Sequence, residues 1–260
     1  VGRALLQRRA VRFLVPVCLV ACLGCGGSSS IDTASSSTST TSYGRVWLTR
    51  IPAQDTSEVS AQFGGVPPAN VEHDPQFGDC YVEPYSSSSS QTQFESAGTL
   101  EFLGTMTPWQ VQPGSNMSYS STRTADEWAQ GAKLEIRATG SAAPGFDTTV
   151  IAPPTLYILN DRTSLLQAIT GNADVTVRWA PVDADQVWMG VESGSVQVAC
   201  TWTGSAGSGT IPGAALAGLP ASGRTIRSPV AINKSNLQSG SWAMSVFAQA
   251  RSQLPDGSSL

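Results

Sequence analysis

The chain has 260 residues, 13% of them charged, with 25 glycines, 5 cysteines and a single histidine. Its formal charge is −4 at pH 7, and without the four arginines near its start 11 Lys+Arg stand against 19 Asp+Glu, about −8. An acidic surface with no Lys/Arg cluster argues against nucleic acid or anionic lipid as partner, and one imidazole argues against a zinc site.

The first 25 residues differ from the rest. Arg3, Arg8, Arg9 and Arg12 form a basic start without an acid, and residues 13–23 are apolar apart from Pro16 and two cysteines. That run is shorter than the roughly 20 residues a bilayer-spanning helix needs. A basic start, a short apolar stretch and small residues at its end describe a secretory signal. Leu23-Gly24-Cys25, followed by Gly26-Gly27-Ser28, resembles the bacterial lipobox. The resemblance implies that Cys25 is diacylated on sulfur and becomes the mature N-terminus. Leu19-Val20-Ala21-Cys22 offers Cys22 as the alternative. Each departs from the pattern: Cys22 stands where the Cys25 frame wants Leu, and Cys18 intrudes on the Cys22 frame. Several acyl chains at one terminus hold a domain on a membrane, which one chain does only marginally. Residues 1–25 are therefore expected to be a lipoprotein signal peptide, with release by ordinary signal peptidase as the competing outcome.

Residues 26–42 are dominated by Ser, Thr and Gly. They offer almost nothing to bury, so a disordered tether is expected. Alternation of period two begins at Tyr43. Val46, Leu48 and Arg50 alternate with Trp47, Thr49 and Ile51; Val59, Ala61 and Phe63 mark a second strand, and Cys80 and Val82 a third. Residues 86–90 are a serine run that reads as an exposed loop. Leu100 and Phe102, then Leu134, Ile136 and Ala138, continue the pattern. Residues at i, i+2 and i+4 share one face of a strand, so each run offers one apolar side to a core.

Pro153-Pro154 cannot continue a central strand and marks the best internal boundary. Residues 164–169 allow one helical turn. Strands follow on Val175, Val177 and Trp179; on Val187, Met189 and Val191; on Val196, Val198, Cys200 and Trp202; and on Trp242, Met244, Val246 and Ala248. Between them residues 204–209 read as a loop and 212–220 as a turn or short helix. The expected fold is all-β: two β-sandwich-like halves, 43–152 and 153–260, after a signal peptide and a disordered tether.

After processing Cys80 and Cys200 remain. Outside the cytoplasm two leftover thiols usually pair, so a disulfide is expected, with two separate buried thiols as the alternative.

Asp174 to Pro181, with Asp183 and a strand from Gln186, resembles the opening of a fibronectin-type-III or related immunoglobulin-like module. The resemblance covers about thirty residues and implies that Trp179 is a core residue. The Tyr that the family places in its penultimate strand is missing, and Trp242 is the nearest substitute. The full layout also resembles uncharacterised lipoproteins of the myxobacterial envelope. The shared features are Gly24-Cys25-Gly26-Gly27-Ser28, Gly78-Asp79-Cys80, Gly98-Thr99-Leu100, and the Cys200 strand leading to Ile211-Pro212. That resemblance implies an extracytoplasmic place in the outer membrane and no activity.

Catalytic constellations are thin. Glu72-His73-Asp74 with Asp79 is the densest ionisable cluster, but neighbours on extended chain point to opposite sides and converge poorly. No Gly-x-Ser-x-Gly elbow is present, and neither Lys133 nor Lys234 lies in a Ser-x-x-Lys motif. Asp183 and Asp185 read as turn chemistry. Trp47 and Trp188 fall opposite the apolar faces of their strands, where an indole can stack on a sugar or anchor a protein. Burial of each by another sheet is the competing reading.

The function expected is a non-enzymatic envelope surface module for adhesion, structure or ligand binding. Its candidate partners are the membrane, through the lipid, and a carbohydrate or another envelope protein. No cofactor or metal is expected. The alternative is a carboxylate-dependent hydrolase of glycosides, which needs two acids facing one another in a pocket.

Overall fold

A computed structural model describes residues 42–65, 76–84, 94–254 and 256–258. The signal peptide, the lipidation sites Cys22 and Cys25, the tether short of Ser42, Glu72-His73-Asp74 and the 86–90 serine run lie outside the described residues.

The strands of the first part are β1 (Ser42–Ile51), β2 (Thr56–Gly64), β3 (Cys80–Pro84), β4 (Leu100–Leu103), β5 (Trp109–Val111), β6 (Tyr119–Arg123), β7 (Lys133–Ala138) and β8 (Phe146–Ile151). There follow β9 (Leu156–Tyr157), α1 (Arg162–Thr170), β10 (Val175–Arg178), β11 (Gln186–Ser193) and β12 (Val196–Trp202). The chain continues through β13 (Ser208–Ile211), α2 (Gly213–Leu216), β14 (Thr225–Ser239) and β15 (Trp242–Gln253). The fold is an all-β sandwich.

One long sheet runs in the order β3-β12-β11-β14-β15-β1-β2-β6. It is antiparallel except where β1 lies parallel to β15, from Ser42 opposite Trp242 to Arg50 opposite Ala250. Where β1 ends, β9 takes over the same strand, also parallel, with Leu156 opposite Ser252. A four-stranded sheet, β5-β4-β7-β8, covers one part of the long sheet. The first core lies there, built from Val46, Leu48, Phe63, Phe102, Trp109, Leu134, Ile136 and Val246 among others. The β10–β13 ribbon and the two helices cover the other part, over a second core that includes Ile158, Trp179, Val187, Met189, Val198 and Trp202.

The boundary at Pro153-Pro154 separates most of the two cores but does not divide the sheet. β3 precedes that boundary, yet Cys80 packs in the second core. β15 follows it, yet Trp242 to Ala248 supply the first core, and only Leu254, just past its end, packs in the second. β14 and β15 form a hairpin through Gly240-Ser241, with Gly240 at φ +58 at the first turn position, where a II′ turn needs a glycine.

Two local expectations are corrected, and one strand was not foreseen. α1 has nine residues, not one turn, because Asp161 caps it by accepting from the Ser164 N–H at 2.8 Å. β13 begins inside the stretch read as a loop. A Cβ on Gly209 would come 2.2 Å from the Trp202 ring, so this strand position carries glycine and no strand-like side chain. β14, with 15 residues the longest strand described, had no expectation at all. Trp179 is buried as expected, its ring 5.6 Å from Trp202 and its Nε1 donating to the Gly204 carbonyl at 2.8 Å.

Candidate binding face on the long sheet

Alternation sends every second side chain of the long sheet away from the cores. On β1, Val46 and Leu48 point in, so Arg45, Trp47 and Thr49 point out. On β15, Met244, Val246 and Ala248 point in, so Ser245, Phe247, Gln249 and Arg251 point out. The outward faces of β3, β12, β11, β14, β15 and β1 together line an open trough of about 1180 Å³.

Register makes rows across this trough. Lys234, Phe247 and Trp47 stand side by side on β14, β15 and β1. The Phe247 and Trp47 rings stack with centroids 6.0 Å apart and planes 15° from parallel. The Lys234 ammonium lies 5.7 Å from the Phe247 centroid, within range of the ring's negative face.

Trp188 stands on β11, and Gly190 decides how its indole lies. A Cβ on Gly190 would come 2.9 Å from the indole carbon Cη2, so only glycine lets the ring rest there. The Arg227 guanidinium carbon is 5.8 Å from the Trp188 ring centroid. Trp188 also hydrogen-bonds to Tyr81. Burial pushes the Tyr81 phenol above its ordinary pKa, the nearby Glu83 carboxylate pushes the same way, and the Trp188 hydrogen bond opposes both.

Glu83, Gln197 and Glu192 form a row on β3, β12 and β11. Gln197 Nε2 donates to Glu83 Oε1 in a buried hydrogen bond. Gln197 is only 5% exposed, and its Oε1 has no hydrogen-bond partner among the described residues.

The other sequence candidates fall as follows. Trp47 and Trp188 are brought to one face, both partly exposed. Counting three strand spacings and four residues along β14, they are about 20 Å apart on the diagonal. Lys234 and the exposed Asp79 also line the trough. Lys133 is exposed on β7, in the other sheet. Asp185 is a turn residue: its N–H donates to Asn233 Oδ1 at 2.9 Å, and its carboxylate accepts from the Lys234 N–H at 2.9 Å. Asp183 is exposed beside it. Cys80 and Cys200 are joined in a disulfide between directly paired positions of β3 and β12. Glu135 and Asp147 come close on the four-stranded sheet, but Arg137 stands between them, paired to both. Among the described residues no group of three or more His, Cys, Asp or Glu is placed to hold a metal ion. Nor is any helix there long and apolar enough to cross a membrane.

No protein-family model and no curated protein sequence matches the chain. Matching solved structures include a 1.5-MDa bacterial ice-binding adhesin, at 12% identity and TM-score 0.22, over 82% of this chain and 65% of that one. Another is a tetra-tandem repeat from the extending region of a large adhesion protein, at 14% identity and TM-score 0.23, over 82% and 49%. A third is a Ca²⁺-stabilised adhesin of an Antarctic bacterium, at 13% identity and TM-score 0.21, over 80% and 48%. The chain thus spans less than two thirds of the length of each.

Sequence reading missed Phe247, Tyr81, Arg227 and Gln197. Phe247 was findable, since it stands between Val246 and Ala248 on a strand whose inward face was clear. The other three depend on which strands become neighbours.

Proposed function

We propose that the chain is a non-enzymatic adhesion or ligand-binding module of the bacterial cell envelope, held by a lipid on Cys25, with the trough as its binding face and carbohydrate as its ligand. The observation that carries this reading is the fate of the tryptophans. Of seven, Trp109, Trp128, Trp179, Trp202 and Trp242 are buried, at 1–7% exposure. The two left partly exposed, Trp47 and Trp188, share one face and stand beside further rings and cations. Partly exposed aromatic rings grouped on one face suit the flat apolar face of a sugar ring, which stacks on such surfaces. The basic start and the lipobox-like Leu23-Gly24-Cys25 support the location.

The test is saccharide binding by the full chain against Trp47→Ala and Trp188→Ala. Each substitution should weaken binding by about tenfold or more while leaving the melting temperature within about 3 °C, because neither ring belongs to a core. Binding equal to the parent in both variants contradicts the assignment of this face. Palmitate labelling in cells, lost on Cys25→Ala, checks the anchor; labelling kept in that variant moves the lipid to Cys22 or removes it from the account.

A further inference from the structure

We propose that the module carries tension along its own chain. β1 and β15 form a shear clamp between the segment before Ser42 and the segment after Gln253, and the Cys80–Cys200 disulfide limits how far the chain extends once the clamp yields. This mechanical role does not depend on what the trough binds.

Strand direction sets the load path. β1 is the first strand described and β15 the last, and they are neighbours in the long sheet. They are also parallel, with Ser42 opposite Trp242 and Arg50 opposite Ala250. The chain therefore enters β1 at one end of this pair and leaves β15 at the other, about 35 Å away along the strands. Tension applied through those two points runs along the strand axis. It loads the hydrogen bonds of the parallel ladder together, so none opens ahead of the rest. Had the two strands been antiparallel, entry and exit would share one end and the ladder would open pair by pair.

Sliding of β1 is opposed on both flanks and at its far end. It is paired with β15 on one side and with β2 on the other, from Tyr43 opposite Gly64 to Ile51 opposite Thr56. A slip of one residue turns every side chain to the other face of a strand. Val46 and Leu48 would leave the first core, and Trp47 and Thr49 would have to enter it. The buried Arg50 side chain is held by other segments: Nη2 donates to Thr155 Oγ1 at 2.7 Å, and Nε pairs with Asp126 at 3.1 Å. Moving β1 toward its entry point strips this cation of both partners, which is costly for a buried charge.

The disulfide bounds the extension. Cys80 and Cys200 are separated by 120 residues in sequence and bonded to one another. While the bridge holds, only the residues from Ser42 to Cys80 and from Cys200 to Gln253 can be drawn out. That is about 90 residues, or roughly 300 Å at full stretch, against roughly 700 Å without the bridge.

The experiment is single-molecule force spectroscopy on the full chain, with handles ligated to both ends. A second pulling direction keeps the N-terminal handle and places the other on an unnatural amino acid at position 241. Ser241 is exposed and adjoins Trp242, so it lies at the Ser42 end of the pair. Pulling there peels β1 from β15 one pair at a time. At equal pulling speed the end-to-end unfolding force should exceed the force in the second direction about twofold or more, because forced unfolding is set by the barrier that each direction must cross. Equal forces in the two directions, or a lower force end to end, overturn the clamp. The end-to-end length gain should be about 300 Å and should rise to about 700 Å when a reductant is added. A gain of about 700 Å without reductant overturns the limiting role of the disulfide.

Discussion

Arg224 is 8% exposed and points its guanidinium at oxygen on every side. Nε donates to the Pro220 carbonyl, Nη1 to those of Ile169 and Gly171, and Nη2 to Leu216, Leu219 and Asn172 Oδ1, at 2.6–3.0 Å. One cation thereby satisfies the carbonyls that α1 and α2 leave open at their C-terminal ends. Arg224→Met keeps the length of the stem but takes the guanidinium from five carbonyls, of which those of Ile169 and Leu219 are in buried hydrogen bonds to it and that of Leu216 keeps the Leu219 N–H. It should lower stability by about 3 kcal/mol or more in urea denaturation, since each buried polar group left unmet costs about 1–3 kcal/mol. A loss under about 1 kcal/mol would show that water replaces the guanidinium. Nothing in the sequence around Arg224 announces this role, because its partners come from three other segments. By contrast Trp47 and Trp188 were legible as outward-facing, since facing follows from alternation alone. That they share one face was not legible, because it depends on β14 and β15 lying between β11 and β1.

β3 has five residues and sits at the edge of the long sheet, paired only with β12. The Cys80–Cys200 disulfide closes a sequence separation of 120 residues across that pair. On the chain-entropy account such a closure stabilises by about 4–5 kcal/mol. Cys80→Ser with Cys200→Ser should therefore lower stability by up to that amount, read as a shift of the denaturation midpoint. It should also loosen the Tyr81–Trp188 and Glu83–Gln197 contacts that β3 carries. A midpoint shift below about 1 kcal/mol would mean that β3 is held by its pairing and burial alone. The pair was legible from compartment and count. β14 was not legible, and its sequence shows why. Pro229 interrupts it, and Arg227, Lys234, Asn236 and Gln238 all face the trough. The proline is tolerated because the register slips there. Between the Trp188–Val230 and Gly190–Arg227 pairs, Ser228 and Pro229 together oppose Met189, the two-against-one count of a β-bulge.

At the scale of the molecule the β14–β15 hairpin is the seam. Ala231 of β14 and Leu254, the residue after β15, pack in the second core, while Leu237, Met244 and Val246 pack in the first, so the hairpin with its exit reaches under both covering layers. The same two strands form the middle of the trough, between the β11 and β1 tryptophans. Sequence alternation located two apolar groupings and a plausible cut at Pro153-Pro154. It could not show one sheet serving both, because the parallel pairing of β1 with β15 joins residues about 200 positions apart. The central claim is that the outward face of this shared sheet binds a saccharide chain. The most direct measurement follows the seven indole N–H signals by NMR while dextran and oligogalacturonate are added in turn to the full chain. The account predicts that the Trp47 and Trp188 signals shift together along one saturating curve and that those of Trp109, Trp128 and Trp179 stay in place. Saturable binding that leaves Trp47 and Trp188 unmoved would contradict it.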